Sequence, residues 1–372
     1  MPRLSDPFRV KALKLANRLV MAPMVTGLAA DHAPSQAQIA WYRAHARGGV
    51  GLVVVESCAI AEDAINMPNA LGLWDDAQVP GMARLAQAIH AEGVPAVLQL
   101  FHGGARSLRT DLNRDLIGAS PVALLPGPPP RAMTEVELQG VIESFARAAG
   151  RAKEAGFDGV EVHAAHYYLL SQFLSPYSNR RTDRWGGDRA GRSRLAVEVV
   201  RAVRRTVGPD FTILCRLHSV EYLEGGMSTE DAIFSARALE AAGVDLLDLS
   251  GIGLSSLGEW EGHALLNSLP ALPRDSAGGA FGPSAGRVRA AVGIPVITVG
   301  KLAEPGVAQA VLDLGQADLV ALARPLIADP LAASKLLAGR DGEIIRCLDC
   351  LSCFASIRKG AIQCSVSKPP FE

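Results

Sequence analysis

The hydrophobic positions of this chain repeat one local pattern. A helical stretch runs to a glycine, one or two residues follow, and a short apolar run begins. The pattern reads RGGVGLVVVES at 47–57, AEGVPAVLQL at 91–100 and AGFDGVEVH at 155–163. It returns as AAGVDLLDLS at 241–250, AVGIPVITVG at 291–300 and LGQADLVALA at 314–323. Residues 18–21 and 212–217 supply two more runs, which makes eight. The runs are continuously apolar rather than alternating, as strands buried on both faces should be. Helical periodicity separates them, as over 135–155, 228–242 and 304–314. Eight strand–helix units predict an α/β fold of the (β/α)8 type, a TIM barrel. A doubly wound sheet usually has fewer strands, and no GxGxxG follows the first run. No linker rich in Pro, Gly or Ser divides the chain, so residues 1–340 read as the barrel and 341–372 as a Cys-rich C-terminal segment. Residues 101–134 and 250–281 read as long loops over one face.

Composition narrows the class. The 372 residues are 49% hydrophobic and 20% charged, which excludes a disordered chain. Lys+Arg 37 against Asp+Glu 38, a net charge of -1, argues against nucleic acid as the main ligand. No run approaches the ~18 apolar residues of a membrane span. The start, MPRLSDPFRV, lacks the basic n-region and apolar h-region of a signal peptide, so a cytoplasmic protein is expected. Two of the six cysteines, Cys58 and Cys215, stand alone in apolar runs and read as core residues. The others crowd together as Cys347, Cys350, Cys353 and Cys364, spaced C-x2-C-x2-C-x10-C. Clustered cysteines in a cytosolic protein suggest a metal rather than a disulfide framework.

In a (β/α)8 barrel, chemistry sits at the C-terminal ends of strands. Gln99 and His102 end the third run, and His163 and His166 follow the fourth. Arg216 and His218 close the fifth, Gly300 and Lys301 the seventh, and Arg324 follows the eighth. Any one of these could merely solvate a loop; the set at one rim points to a site. The densest polar stretch is VHAAHYYLLSQFLSPYSNRRTDRWGGDRAGR, from Val162 to Arg192.

That stretch resembles the active-site segment of the old yellow enzyme family of FMN-dependent oxidoreductases. The family pattern His-x-x-(His or Asn)-Gly-Tyr-Leu is met by His163, His166 and Tyr168. The following Asn-x-Arg-x-Asp-x-Tyr-Gly-Gly loop is met by Asn179, Arg181, Asp183, Gly186 and Gly187, with Trp185 for the tyrosine. Tyr167 stands where the family usually has glycine. NRLVMAPM from Asn17 to Met24, Gln99 with His102 and Gly103, and ARPLIADP from Ala323 to Pro330 match as well. The resemblance runs from about Asp6 to the last residue.

The resemblance implies roles for particular residues. His163 and His166 hold the carbonyl oxygen of an α,β-unsaturated substrate. Tyr168 is the acid that protonates carbon, since phenols ordinarily titrate near pH ~10. Gln99 and Arg216 meet the flavin pyrimidine, and Ala22, Pro23, Met24, Val25 and Ser57 line its other edge. Gly300, Lys301, Ala323 and Arg324 form the phosphate site. Gly27, where some relatives have tyrosine, implies a roomier substrate pocket. Val25 replaces the usual Thr or Cys, so it makes no hydrogen bond to the flavin.

The cysteine quartet resembles the one that holds a [4Fe–4S] cluster in the iron–sulfur branch of the family, which includes 2,4-dienoyl-CoA reductase and trimethylamine dehydrogenase. Zinc, or no metal, remains open for four thiolates. The implied activity is an FMN-dependent ene-reductase using NAD(P)H on a small-molecule enone or enoyl compound. The alternative is an amine dehydrogenase or demethylase that oxidises a C–N bond and exports electrons through the cluster to a partner protein. A homo-oligomer is expected, with neither nucleic acid nor membrane as partner.

Overall fold

The structure, a computed structural model, describes residues 1–107, 116–124, 127–260, 263–267, 279–304, 306–357 and 360–369. Eight parallel strands close into a barrel: β1 (Leu19–Met21), β2 (Leu52–Ala59), β3 (Ala96–Phe101), β4 (Gly159–Ala164), β5 (Thr212–Tyr222), β6 (Leu246–Trp260), β7 (Val296–Val299) and β8 (Leu319–Leu322). Each pairs with the next, and closure is the parallel pairing of Val320 with Leu19 and Leu322 with Met21. Helices follow the strands, among them α1 (Gln36–Arg47), α2 (Val79–His90), α3 (Glu135–Glu154), α4 (Leu169–Leu174) and α5 (Arg189–Val207). The ring is completed by α6 (Thr229–Ala242), α7 (Gly282–Arg289) and α8 (Val307–Asp313).

The continuous apolar strands follow from burial on two sides. Leu52, Val54, Val97, Leu214, Ile297 and Leu319 point into the barrel interior and pack as one cluster. Val53, Val55, Val160, Leu247 and Val320 face the helices and join the larger outer core. Cys58 and Cys215 are fully buried, as their surroundings in the sequence predict. Helix starts are capped where the sequence allows it: Thr134 with Glu137, and Ser228 with Asp231, form reciprocal capping boxes.

An N-terminal hairpin, Phe8–Val10 with Leu13–Leu15, seals the N-terminal mouth. Val10, Leu13 and Leu15 join the interior cluster, and Lys11 Nζ lies 2.7 Å from Asp245 Oδ1 at the foot of β6. The hairpin therefore covers the lower end of the interior, opposite the C-terminal rim. Of the two expected loops, 101–134 also carries the paired short strands Ile117–Gly118 and Arg131–Ala132. The second is a loop only in part: β6 runs on to Trp260 and pairs antiparallel with His263–Asn267. Residues 108–115, 125–126, 261–262 and 268–278 of these inserts lie outside the described residues. Among the described residues no helix is long and apolar enough to cross a membrane.

Candidate active site

The centre of the rim is a buried polar network contributed by four neighbouring strands. Gln99 on β3 donates from Nε2 to Glu161 Oε1 on β4 at 2.7 Å. Arg216 on β5 donates from Nη1 to Asp248 Oδ2 on β6 at 2.6 Å. Glu161 Oε2, Asp248 Oδ1 and Arg216 Nε are buried without a protein partner. Burial, then the Asp248 charge, pushes the Glu161 carboxyl well up. Burial raises Asp248 too, against the pull of Arg216. One proton held between Glu161 and Asp248 gives both orphaned oxygens a partner and leaves the guanidinium charged. Arg216 Nε is then a buried donor that no protein group satisfies. A planar polar edge such as the flavin pyrimidine fits that requirement, and the residues present suit FMN in this respect.

The other expected flavin contacts share this rim. Ala22 and Ser57 are buried, and Pro23, Met24 and Val25 are partly exposed beside them. Gly300 ends β7 with φ of 107°, and a Cβ there would lie 2.9 Å from the Ala280 side chain. Only glycine suits that turn. Lys301 follows with φ of 55°. Ala323 ends the β8 segment, and Arg324 opens a short helix, Arg324–Ala328. Lys301, Arg324, Arg346, Cys347 and Asp349 line a common cavity, with three cationic side chains at its edge.

His163 and Tyr168 meet edge to face, with ring centroids 4.9 Å apart, and His163 and His166 do so at 5.2 Å. His163 Nδ1 accepts from the Ala165 amide at 3.2 Å, which leaves its proton on Nε2. His166 Nε2 lies 3.0 Å from the Ser250 hydroxyl. Burial, then the Arg216 charge, holds both imidazoles well below the ordinary histidine range, so both are neutral. Asn66 Nδ2 donates to the Tyr168 hydroxyl at 3.1 Å, and the Arg106 guanidinium lies 5.7 Å from the Tyr168 ring centroid.

The two adjacent tyrosines part company here. Tyr168 is partly exposed toward the histidines, whereas Tyr167 is fully buried on the far side. Tyr167 donates to Glu221 Oε2 at 2.7 Å, and burial with that carboxylate drives its phenol far above the usual tyrosine range. His166 and Tyr167 both adopt the left-handed region, with φ of 59° and 55°. For non-glycine residues this costs about 1–2 kcal/mol each, which explains the usual glycine at the second position.

The Cys-rich segment folds onto the part of the rim that carries Arg324. Asp349 pairs with Arg324 at 3.2 Å, and Ile345 N donates to Asp329 Oδ2 at 3.0 Å. Cys347, Cys353 and Cys364 are partly buried there, while Cys350 is exposed with its sulfur 3.2 Å from Ser352 Oγ and 3.1 Å from Ser365 Oγ. Among the described residues no three ligating side chains already converge on a metal position. The loop is nonetheless built tightly, with Asp349 and Leu351 left-handed at φ of 56° and 58°. The Asp349 amide donates to Cys347 Sγ at 3.4 Å. The same segment accounts for Gly27. Ile362 N donates to Thr26 O at 2.8 Å, and a Cβ on Gly27 would lie 2.3 Å from the Gly360 carbonyl oxygen. The glycine admits the C-terminal segment, a reason different from the roomier pocket expected of it.

Residues 3–343 match the NADH:flavin oxidoreductase / NADH oxidase family. The chain belongs to that family. It is 38% identical over 359 residues to an NADH oxidase of Thermoanaerobacter brockii, covering 94% of this chain and 53% of the relative. It is 37% identical over 351 residues to a metal reductase of Desulforamulus reducens, covering 93% and 50%. The chain thus spans about half the length of these curated relatives. Among solved structures, 2-naphthoyl-CoA reductase in complex with 2-naphthoyl-CoA superposes with a TM-score of 0.89 at 27% identity, covering 99% of this chain and 57% of that one. Histamine dehydrogenase from Rhizobium sp. 4-9 gives 0.83 at 28%, covering 99% and 52%. Morphinone reductase with tetrahydroNAD gives 0.75 at 31%, covering 91% and 92%.

Within this family member, one buried group beside residues 22–25 gives no signal in the sequence. Glu56 on β2 is fully buried and accepts from Thr26 N at 3.0 Å, Thr26 Oγ1 at 2.6 Å and Gln38 Nε2 at 2.6 Å. Burial pushes its carboxyl from 4.5 up to about 7, against the pull of those donors. The folded protein therefore holds this proton more tightly than the unfolded chain. Its stabilising contribution, about 3 kcal/mol at most, is present below pH ~4.5 and lost as pH rises through ~7. Glu56→Gln should flatten this dependence, so the melting temperatures of wild type and variant should separate most above pH ~7. A constant difference from pH ~5 to ~8 would assign Glu56 no such role.

Proposed function

We propose that the chain is an FMN-dependent NAD(P)H oxidoreductase that reduces the C=C bond of an α,β-unsaturated carbonyl compound. The observation that carries this reading is the neutral His163–His166 pair beside Tyr168 on the open rim. Ala22, Pro23, Met24, Val25, Ser57, Gln99 and Arg216 would hold the FMN ring, and Gly300, Lys301, Ala323 and Arg324 its phosphate. Bound there, FMN supplies the hydride, which NAD(P)H replenishes. The chain's own residues do the rest. His163 donates from Nε2 to the carbonyl oxygen. His166 donates from Nδ1 when the Ser250 hydroxyl donates to its Nε2. Both strengthen as charge builds on that oxygen, and neither gives up its proton. Tyr168 delivers the phenolic proton to the α-carbon, with Asn66 and Arg106 placed to stabilise the phenolate left behind.

The amine-oxidising alternative has a relative in histamine dehydrogenase, but the site chemistry favours an oxygen anion. A cationic amine needs a carboxylate or a π-cage. Glu221, behind the histidines, already takes hydrogen bonds from Tyr167, Ser175, the Met227 amide and His218. Turnover of cyclohexenone against small methylated amines separates the readings. Amine oxidation without enone reduction would overturn the first.

We further propose that residues 341–372 are an iron–sulfur segment in which Cys347, Cys350, Cys353 and Cys364 hold a [4Fe–4S] cluster. The all-thiolate donor set supports this, as does the Asp349 amide on Cys347 Sγ, the type of contact that stabilises a thiolate ligand. Hydrogen bonds from Ser352 and Ser365 bring the Cys350 thiol down to about 7. The four sulfurs must draw together to close the cage, Cys350 from its exposed position. Anaerobically purified protein should contain about four iron and four sulfide per chain. Stoichiometric zinc instead would make the quartet a structural clamp.

A further inference from the structure

We propose that Tyr167, His218 and Glu221 are positioning residues, a buried clamp that holds the left-handed turn carrying His166 and Tyr168; this rests on the ene-reductase reading of those two residues. Left-handed conformation at two successive non-glycine positions persists only if its surroundings over-determine it. Here every peptide group of the turn is held by a side chain. The His166 amide donates to His218 Nε2 at 2.6 Å, and Arg106 donates to the His166 carbonyl. The Tyr167 amide donates to Ser171 Oγ at 3.2 Å, and Gln172 Nε2 donates to the Tyr167 carbonyl at 2.7 Å.

The clamp is a closed loop of contacts. From the His166 amide it passes to His218, whose Nδ1 lies 3.1 Å from Glu221 Oε1. From Glu221 Oε2 it returns through the Tyr167 hydroxyl at 2.7 Å to the same turn. Because His218 Nε2 accepts, its proton sits on Nδ1 and points at the carboxylate. Glu221 is itself fixed by Ser175 Oγ at 2.6 Å and the Met227 amide at 2.7 Å. Burial alone would raise Glu221, but the hydrogen bonds from His218, Ser175 and Tyr167 hold it below the ordinary glutamate range. A charged acceptor therefore anchors the ring. The aromatic side chain that costs strain at position 167 also supplies the anchor that offsets it. Glycine would relieve the strain and lose the anchor.

The test uses the flavin-loaded protein in four variants: His218→Ala, His218→Gln, Tyr167→Phe and Tyr167→Gly. The readouts are hydrogen–deuterium exchange over residues 164–170, melting temperature, and affinity for a para-substituted phenol titrated against flavin absorbance. A phenol offers an oxygen to the histidine pair and a ring to the flavin. His218→Ala and Tyr167→Phe should accelerate exchange of the His166 and Tyr167 amides. They should weaken phenol binding by about tenfold to a hundredfold, with flavin content unchanged. His218→Gln, whose amide oxygen can accept from His166 N–H, should recover part of the loss. Tyr167→Gly should behave like Tyr167→Phe or worse. Wild-type exchange and wild-type affinity in both His218→Ala and Tyr167→Phe would overturn the clamp. Should His218→Ala fail to fold, Tyr167→Phe, which removes one oxygen atom, decides the question. A phenol that leaves the wild-type flavin spectrum unchanged would count against the histidine-pair function instead, and exchange would still decide the clamp.

Discussion

Replacing Tyr168 by phenylalanine should slow enone reduction by about 10²–10⁴-fold, the usual contribution of one well-placed acid. NAD(P)H oxidation in the flavin half-reaction should stay near the wild-type rate, because no proton from Tyr168 is needed there. The geometry makes this a clean substitution. The ring of Tyr168 is held by its edge contacts with His163 at 4.9 Å and Phe101 at 5.2 Å, and phenylalanine keeps both. Only the hydroxyl that accepts from Asn66 is lost. Stopped-flow mixing of reduced enzyme with cyclohexenone isolates the affected step. A reduction rate unchanged by the substitution would mean that solvent supplies the proton. The neighbouring tyrosine makes the contrast sharp: the Tyr167 phenol donates to Glu221 on the buried side and cannot reach an open-rim substrate.

That contrast also marks the reach of the sequence. Motif spacing singles out Tyr168, but two identical side chains in a row differ only in backbone geometry. The left-handed φ of His166 and Tyr167 turns one phenol inward and the next one out. The barrel itself was legible because its strands are buried on both faces, so each is a short apolar run, and six of the eight follow a glycine. Gln99, His163 and Arg216 were legible because they end such runs. The hairpin Phe8–Val10 and Leu13–Leu15 was not, since its strands put a charged residue between two apolar ones and so lack the continuous apolar run that marks the barrel strands. Glu56 was hidden for another reason: it looks like one polar interruption of a buried strand, and its partners Thr26, Gln38 and Tyr42 come from β1's exit and α1. Gly27 shows the same limit, because the Gly360 carbonyl that requires it is remote along the chain.

Arg324→Ala should yield mostly flavin-free protein. Charge-assisted hydrogen bonds contribute ~1.5–3 kcal/mol each, so loss of a bidentate guanidinium–phosphate pair should weaken FMN binding by about 10²–10⁴-fold. The effect should extend to the cysteines. Burial raises the thiols of Cys347 and Cys353, and the Arg324 charge is the group that pulls both back down among their side-chain neighbours. Removing it leaves two partly buried thiols harder to ionise, so iron content should fall along with flavin. Arg324→Lys keeps a point charge without the fork and should retain part of each. Asp349→Asn breaks the 3.2 Å ion pair but leaves the guanidinium, so it should keep the flavin. The measurement is flavin, iron and protein content of the three variants purified anaerobically in parallel. Full flavin in Arg324→Ala would remove this arginine from the phosphate site. Loss of flavin with iron retained would show that the two cofactor sites do not share it.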